Sequence, residues 1–261
     1  MKIDIEKAQK EFLKYVEKYD INDSAIKLKR DHSIRVMQKA KQIAQAMELS
    51  HEEIQLATLI GLLHDIARFE QHVRFKNYNV ISDFDHGDYA VEILEKDMRN
   101  YIQTDEYDNI IKTAIRNHNK YQIEEGLDEK ELFFSKLIRD ADKLDIFYEC
   151  VEIFWRGKED VINNSKLSQE MYDAFMQKQM IMIEKDRDYD TIDDMLITLA
   201  YAFDMNFKES YEILQKQNYI NKTINRFNFK NTQTKEQMKI LIENLNNYIR
   251  THAKRETDIE R

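Results

Sequence analysis

Proline is absent from the 261-residue sequence and glycine occurs only four times. Average usage would supply roughly a dozen prolines and about eighteen glycines over this length. Strands, hairpins and tight turns depend on both residues, so their scarcity excludes a turn-rich β architecture and predicts helices joined by short polar loops. The single cysteine, Cys150, excludes an internal disulfide and fits a reducing compartment. No apolar run approaches the roughly 18 residues that would suggest a membrane helix. The first residues, "MKIDIEKAQKEF", lack the apolar segment of a signal peptide. No glycine-rich phosphate loop is present, which excludes a P-loop route to nucleotide hydrolysis. Positive charge is also in deficit. The net charge of −9 argues against non-specific binding to nucleic-acid backbones, which needs a basic surface. A small anionic substrate stays open if a local site supplies the cations. The expectation is a soluble cytoplasmic protein with no membrane association; a homo-oligomer is open.

What is abundant agrees with what is missing. Met, Leu, Ile, Ala, Lys, Glu and Gln favour helix, and 42% hydrophobic residues suffice for a core. The fold class is read as all-α. "IEKAQKEFLKYVEKY" opens the chain as an amphipathic segment. A second helix spans about 24 to 48, with Val36, Met37, Ala40, Ile43, Ala44 and Met47 at helical spacing. Ser50 and Glu53 fit a capping box opening a helix that runs through His64 and Asp65. Beyond Phe69, "HVRFKNYNVISDFDHG" has no period and reads as a loop of about 15 residues, long enough to suggest function. Helices resume near 88–99 and 106–118. Asp128 and Glu131 are placed to cap another over "EKELFFSKLIRDADKLDIFYECVEIF". "MLITLAYAFDMNF" is the most buried later stretch, and "TKEQMKILIENLNNYIRTHAK" a last amphipathic helix before a fraying, charged tail.

Three histidines point inward by helical phase. His32 shares its stripe with Val36 and Ala40, His64 with Leu56 and Ile60, and His118 with Ile111, Ala114 and Ile115. Asp142, four residues from Ile138 and from Ile146, points inward too, and His86 closes the long loop. Each alone reads as an ordinary hydrogen-bonded residue. Several converging on one core would leave costly buried polar groups unless they share a partner. A metal supplies one, since imidazole nitrogens and carboxylate oxygens suit Zn, Fe, Mn or Ni. Neighbouring helical residues diverge by about 100°, so His64 can face one metal while Asp65, turned sideways, bridges to a second. His51 lies in the capping box and is expected to be exposed.

The order His, His-Asp, His, His, Asp on successive helices resembles the HD-domain superfamily of metal-dependent phosphohydrolases. The stretches that carry the resemblance are "DHSIRV", "LLHDIARFEQ", "DHGD", "IRNHNK" and "IRDADKLD", covering 31 to 145. It implies an HD-domain helical bundle over 1–150; residues 151–261 match no motif and are read from their helical pattern as additional C-terminal helices packed on it as one unit. It implies that His32, His64, Asp65 and Asp142 hold a first metal, and that Asp65 bridges to a second held by His86 and His118. Asp140 is the rival to Asp142; helical phase and the family pattern both favour Asp142. The implied cofactors are two divalent ions, Fe or Mn ahead of Mg, Zn, Co or Ni.

The implied function is hydrolysis of a phosphoester or phosphoanhydride, with a nucleotide as the small anionic substrate and Asp65 central to catalysis. Two divalent ions acidify a shared water and neutralise a phosphoryl group. Lys143, beside a ligand, resembles the position where some relatives touch substrate phosphate. Arg68 and Lys120 are further candidates; for all three a solvated charge or an ion pair is an equal reading. Two alternatives share the ligand series, because fold does not fix function: a di-iron oxygenase, and a non-catalytic metal-containing nucleotide sensor.

Overall fold

The computed structural model describes residues 2–78, 84–182 and 190–254, and the regular elements among them are helical. The chain divides into two compact units, Met1–Asp142 and Lys143–Arg261. No helix among the described residues is long and apolar enough to cross a membrane.

In the first unit, Asp4 caps α1 (Ile5–Val16) and Asp23 caps α2 (Ser24–Ala46), each carboxylate accepting from a first-turn N–H. These bonds satisfy donors that a helix start leaves without partners. The capping box of α3 (His51–Leu63) is present: Glu53 N–H donates to Ser50 Oγ at 3.3 Å, and Ser50 N–H to Glu53 Oε2 at 3.0 Å. His51, beside it, is exposed. α4 (Arg68–Phe75), α5 (His86–Tyr101) and α6 (Asp108–Asn117) follow. Asp128 and Glu131 exchange the same reciprocal pair of bonds at the start of α7 (Glu129–Glu152).

Every residue of α3 from Leu56 to Leu63 is buried, as expected of a helix that is apolar all round. It packs on α2, α1 and α6, and α5 packs on α1 and α6. Contact with α2 is so close that a Cβ at Gly61 would lie 2.9 Å from Met37 Cα and 3.1 Å from Val36 O. Only glycine fits there, and the approach brings the histidine of α2 beside the end of α3.

Two expectations need correction. α3 stops at Leu63, so His64 and Asp65 stand in a turn at the helix end, not in mid-helix. The segment after Phe69 begins as helix: α4 ends at Phe75, with Lys76 left-handed at its C-cap. Its only long apolar anchor is Phe69, which meets Phe12, Tyr15 and Tyr19 edge-on or tilted. Two turns with one such anchor leave no stripe to read. Part of the expected loop, 79–83, lies outside the described residues, as does the tail from 255.

The second unit contains α8 (Glu159–Asn164), α9 (Gln169–Met176), α10 (Thr191–Leu199), a 3-10 turn (Ala200–Asp204), α11 (Lys208–Gln217), α12 (Tyr219–Ile224) and α13 (Thr232–Ala253). α13 is its organising element, packing on α11, α9, α12 and the 3-10 turn. Arg226 donates to the carbonyls of Cys150, Val151 and Phe154, giving partners to groups that the end of α7 leaves open.

Candidate metal centre

The end of α3 explains why a histidine is wanted at position 64. A helix leaves its last carbonyls without partners, and His64 Nδ1 lies 2.9 Å from Gly61 O. A carbonyl only accepts, so the proton is on Nδ1 and the Nε2 lone pair is bare. His118 repeats the device at the end of α6, with Nδ1 2.6 Å from Ile115 O. Each helix end therefore fixes both the orientation and the tautomer of one imidazole, an arrangement common for metal-binding histidines.

"DFDHGD" acquires a role residue by residue. Asp85 caps α5, accepting from the N–H groups of Gly87 and Asp88 at 2.8 and 3.1 Å. The same carboxylate accepts from Asn119 Nδ2 at 3.0 Å and Lys120 Nζ at 2.8 Å, and Lys120 also reaches Asp88 at 2.7 Å. Burial works to raise the Asp85 carboxyl, but its bonds to Lys120, Asn119 and the backbone hold it well below the usual carboxylate range. Gly87 lets the start of α5 press on the end of α6. A Cβ there would lie 2.5 Å from Asn119 Oδ1 and 2.8 Å from Arg116 O. Arg139 closes the turn after His118 by donating to the carbonyls of Asn117, Lys120 and Tyr121. His86 and His118 are thereby pressed together, their Nε2 atoms 3.1 Å apart.

The other five expected ligands converge around Asp65, which is 2% exposed. Its Oδ2 faces His32 Nε2 at 3.5 Å and His64 Nε2 at 3.7 Å. Its Oδ1 faces His118 Nε2 at 3.4 Å and His86 Nε2 at 3.6 Å. Asp142 Oδ1 completes the first group, 3.1 Å from His32 Nε2 and 3.7 Å from His64 Nε2, and the two imidazole nitrogens are 3.3 Å apart. Donor atoms about 2.1 Å from one cation stand about 3.0–3.4 Å from one another. His32, His64 and Asp142, and likewise His64, Asp65 and His118, could hold a metal ion.

Electrostatics favour the neutral imidazole at His64 and His86 and the ionised carboxylate at Asp65 and Asp142, the forms that bind a metal. Burial pushes His64 down, against the pull of Asp65 and Asp142. Burial, with Arg68 and His118 adding to it, pushes His86 well below the ordinary imidazole value. For Asp65, burial works upward, but Lys29, His64 and Arg68 overcome it and hold the carboxyl well below the carboxylate range. Asp142 is likewise driven up by burial and down, decisively, by His32 and His64.

Among the other expected residues, Arg68 is at the cluster, its Nε 3.4 Å from Asp65 Oδ1. Lys120 is committed to Asp85 and Asp88. Lys143 lies in the second unit, where its ammonium meets the Asp204 carboxylate at 2.6 Å and carbonyl at 3.0 Å. His72 is in α4 and donates to Asp23 at 2.8 Å. Two residues escaped the sequence reading. Arg139 clamps the His118 turn, and Lys29 reaches Asp65 Oδ2 at 2.9 Å. The only signal for Lys29 is its place three residues before His32, on the same helical face.

Residues 30–146 match the family model of the HD domain. Comparison with curated proteins and with solved structures gives no match.

Proposed function

We propose that this chain, whose residues 30–146 belong to the HD-domain superfamily of metal-dependent phosphohydrolases, uses two divalent ions, iron or manganese, to hydrolyse a phosphoester or phosphoanhydride bond of a nucleotide. The observation that carries this reading is the division of labour at Asp65: one oxygen faces His32 and His64, the other His86 and His118. His32, His64, Asp142 and Asp65 would hold one ion, and His86, His118 and Asp65 the other. A donor set of nitrogen and oxygen with no thiolate suits both metals. When bound, such ions lower the pKa of water toward neutrality and offset phosphoryl charge.

The chain's own residues supply position and charge. The helix-end bonds of His64 and His118 keep both rings from rotating, so the donor atoms stay aimed at one place without a reorganisation cost. The Asp85–Asn119–Lys120 clamp keeps His86 in register with His118. Arg68, beside Asp65, presents a planar guanidinium suited to phosphate oxygens.

The test is product release from a panel of nucleotides by anaerobically purified protein supplied with Mn²⁺ or Fe²⁺, with Asp65→Ala as the blank. Phosphate or nucleoside monophosphate from the wild type alone is the expected result. Silence across the panel with metal bound refutes the hydrolase reading and favours an oxygen-dependent enzyme or a sensor.

A further inference from the structure

Lys29 is 15% exposed along its side chain, and its ammonium lies 2.9 Å from Asp65 Oδ2, the oxygen that also faces His32 and His64. Arg68 approaches the opposite oxygen. The two cations differ in tether. Arg68 Nη1 also donates to Gln71 Oε1 at 2.8 Å and to the Tyr78 carbonyl at 2.9 Å, so its guanidinium is fixed. Lys29 stands at the end of a flexible four-carbon stem. Its nitrogen is 5.4 Å from the centre of the Tyr78 ring, whose face is a second seat for an ammonium.

Charge balance decides what each cation can do. Asp65 and Asp142 bring two negative charges, and Lys29 and Arg68 two positive ones. Each divalent ion adds two more positive charges where burial weakens screening. The ammonium and the divalent ion compete for one carboxylate oxygen. The ammonium, monovalent and mobile, is the one to yield; the Tyr78 face can hold it in passing, and an anion is the partner that neutralises its charge. Loading two divalent ions raises the local positive charge by four, which favours the several charges of a di- or triphosphate chain over the single charge of a phosphodiester.

Resting on the phosphohydrolase reading above, we propose that Lys29 is a substrate-gripping cation: it cedes Asp65 Oδ2 to the metal and takes up an oxygen of a di- or triphosphate chain. Sequence position alone hides this role, because a lysine on a helix reads as solvated.

Two titrations on the full chain test it, comparing wild type, Lys29→Met and Lys29→Arg. The first measures Mn²⁺ affinity by competition with a chromophoric chelator. The second measures binding of methylenediphosphonate, a diphosphate analogue whose P–CH₂–P bridge resists hydrolysis, to the Mn²⁺-loaded protein. Lys29→Met is expected to bind Mn²⁺ about tenfold more tightly and the diphosphonate about tenfold more weakly, the weight of one charge-assisted hydrogen bond. Lys29→Arg, which keeps the charge, follows the wild type. Mn²⁺ binding by Lys29→Met that is unchanged or weaker makes Lys29 a prop for Asp65 and overturns the proposal. Unchanged diphosphonate binding makes it a bystander and overturns the proposal equally. If Lys29→Met does not fold, Lys29→Gln, which keeps a donor toward Asp65, takes its place under the same criteria. Phosphate release by the wild type tests the hydrolase reading separately, so failure of either idea is distinguishable from failure of the other.

Discussion

Gly87→Ala places one methyl group where α5 meets the end of α6, and the structure says how much room it has. The new Cβ would stand 2.8 Å from Arg116 O, about 0.6 Å short of ordinary contact, and 2.5 Å from Asn119 Oδ1. The Asn119 side chain can rotate away, but the Arg116 carbonyl is backbone and cannot. Alanine favours helix over glycine by about 0.5–1 kcal/mol, whereas overpacking costs about 1–3 kcal/mol. The clash wins, and a Tm lower by roughly 2–6 °C is expected. The larger effect is on His86, the neighbouring residue. Metal–ligand distances tolerate about 0.2 Å, so a shift of this size at the start of α5 parts His86 from His118 and is expected to weaken the metal site proposed there about 10–100-fold. The other proposed site, built on α2, α7 and the turn that ends α3, is expected to stay intact. The assay is a Mn²⁺ titration with stoichiometry by elemental analysis, run beside thermal melts. Two tightly bound ions in Gly87→Ala would refute the argument that Gly87 sets the distance between His86 and His118.

Metal removal, acidification and alkylation test other parts of the account. A chelator should lower the Tm of the wild type and leave Asp65→Ala unmoved; binding at 100 times its Kd stabilises by about 2.7 kcal/mol per ion, and equal shifts in both proteins contradict the bridging role. His72 donates to Asp23 and, with the Ala25 N–H, holds its carboxyl below the usual range. That stabilisation is present above the unfolded value of about 3.9 and is lost as pH falls through the depressed one, so Asp23→Asn should flatten that part of the acid-unfolding curve. An acid limb identical to wild type removes the pair from the account. Cys150 is fully buried, and burial with the nearby Glu149 pushes its thiol up. Iodoacetamide should leave it unmodified at neutral pH until the protein is denatured; rapid labelling of the native chain contradicts its burial.

The convergence of these side chains was legible because helical phase is local. His32, His118 and Asp142 declare themselves by apolar neighbours three and four residues away, and such neighbours also reveal α2, α3 and the capping boxes at Ser50 and Asp128. What escaped depends on partners distant in sequence or on the way a helix stops. The apolar run of α3 continues through Ile66 and Ala67, both fully buried, so nothing in composition marks the turn at His64. Asp65 gained its sideways aim from that turn, a different route from the 100° offset inside a helix. Lys29 meets an acid 36 residues away, and Arg139 meets carbonyls about 20 residues away. A charged residue on a helix reads as solvated until its distant partner is known.

The central claim is that Asp65 joins two metal ions held by the remaining five ligands. Anomalous-difference maps from crystals grown with Mn²⁺ test it most directly. The account predicts two peaks about 3.5–4 Å apart, one among His32, His64 and Asp142 and one beside His86 and His118, with one Asp65 oxygen on each. A single peak, or two peaks that leave Asp65 on Lys29 and Arg68 alone, would contradict it.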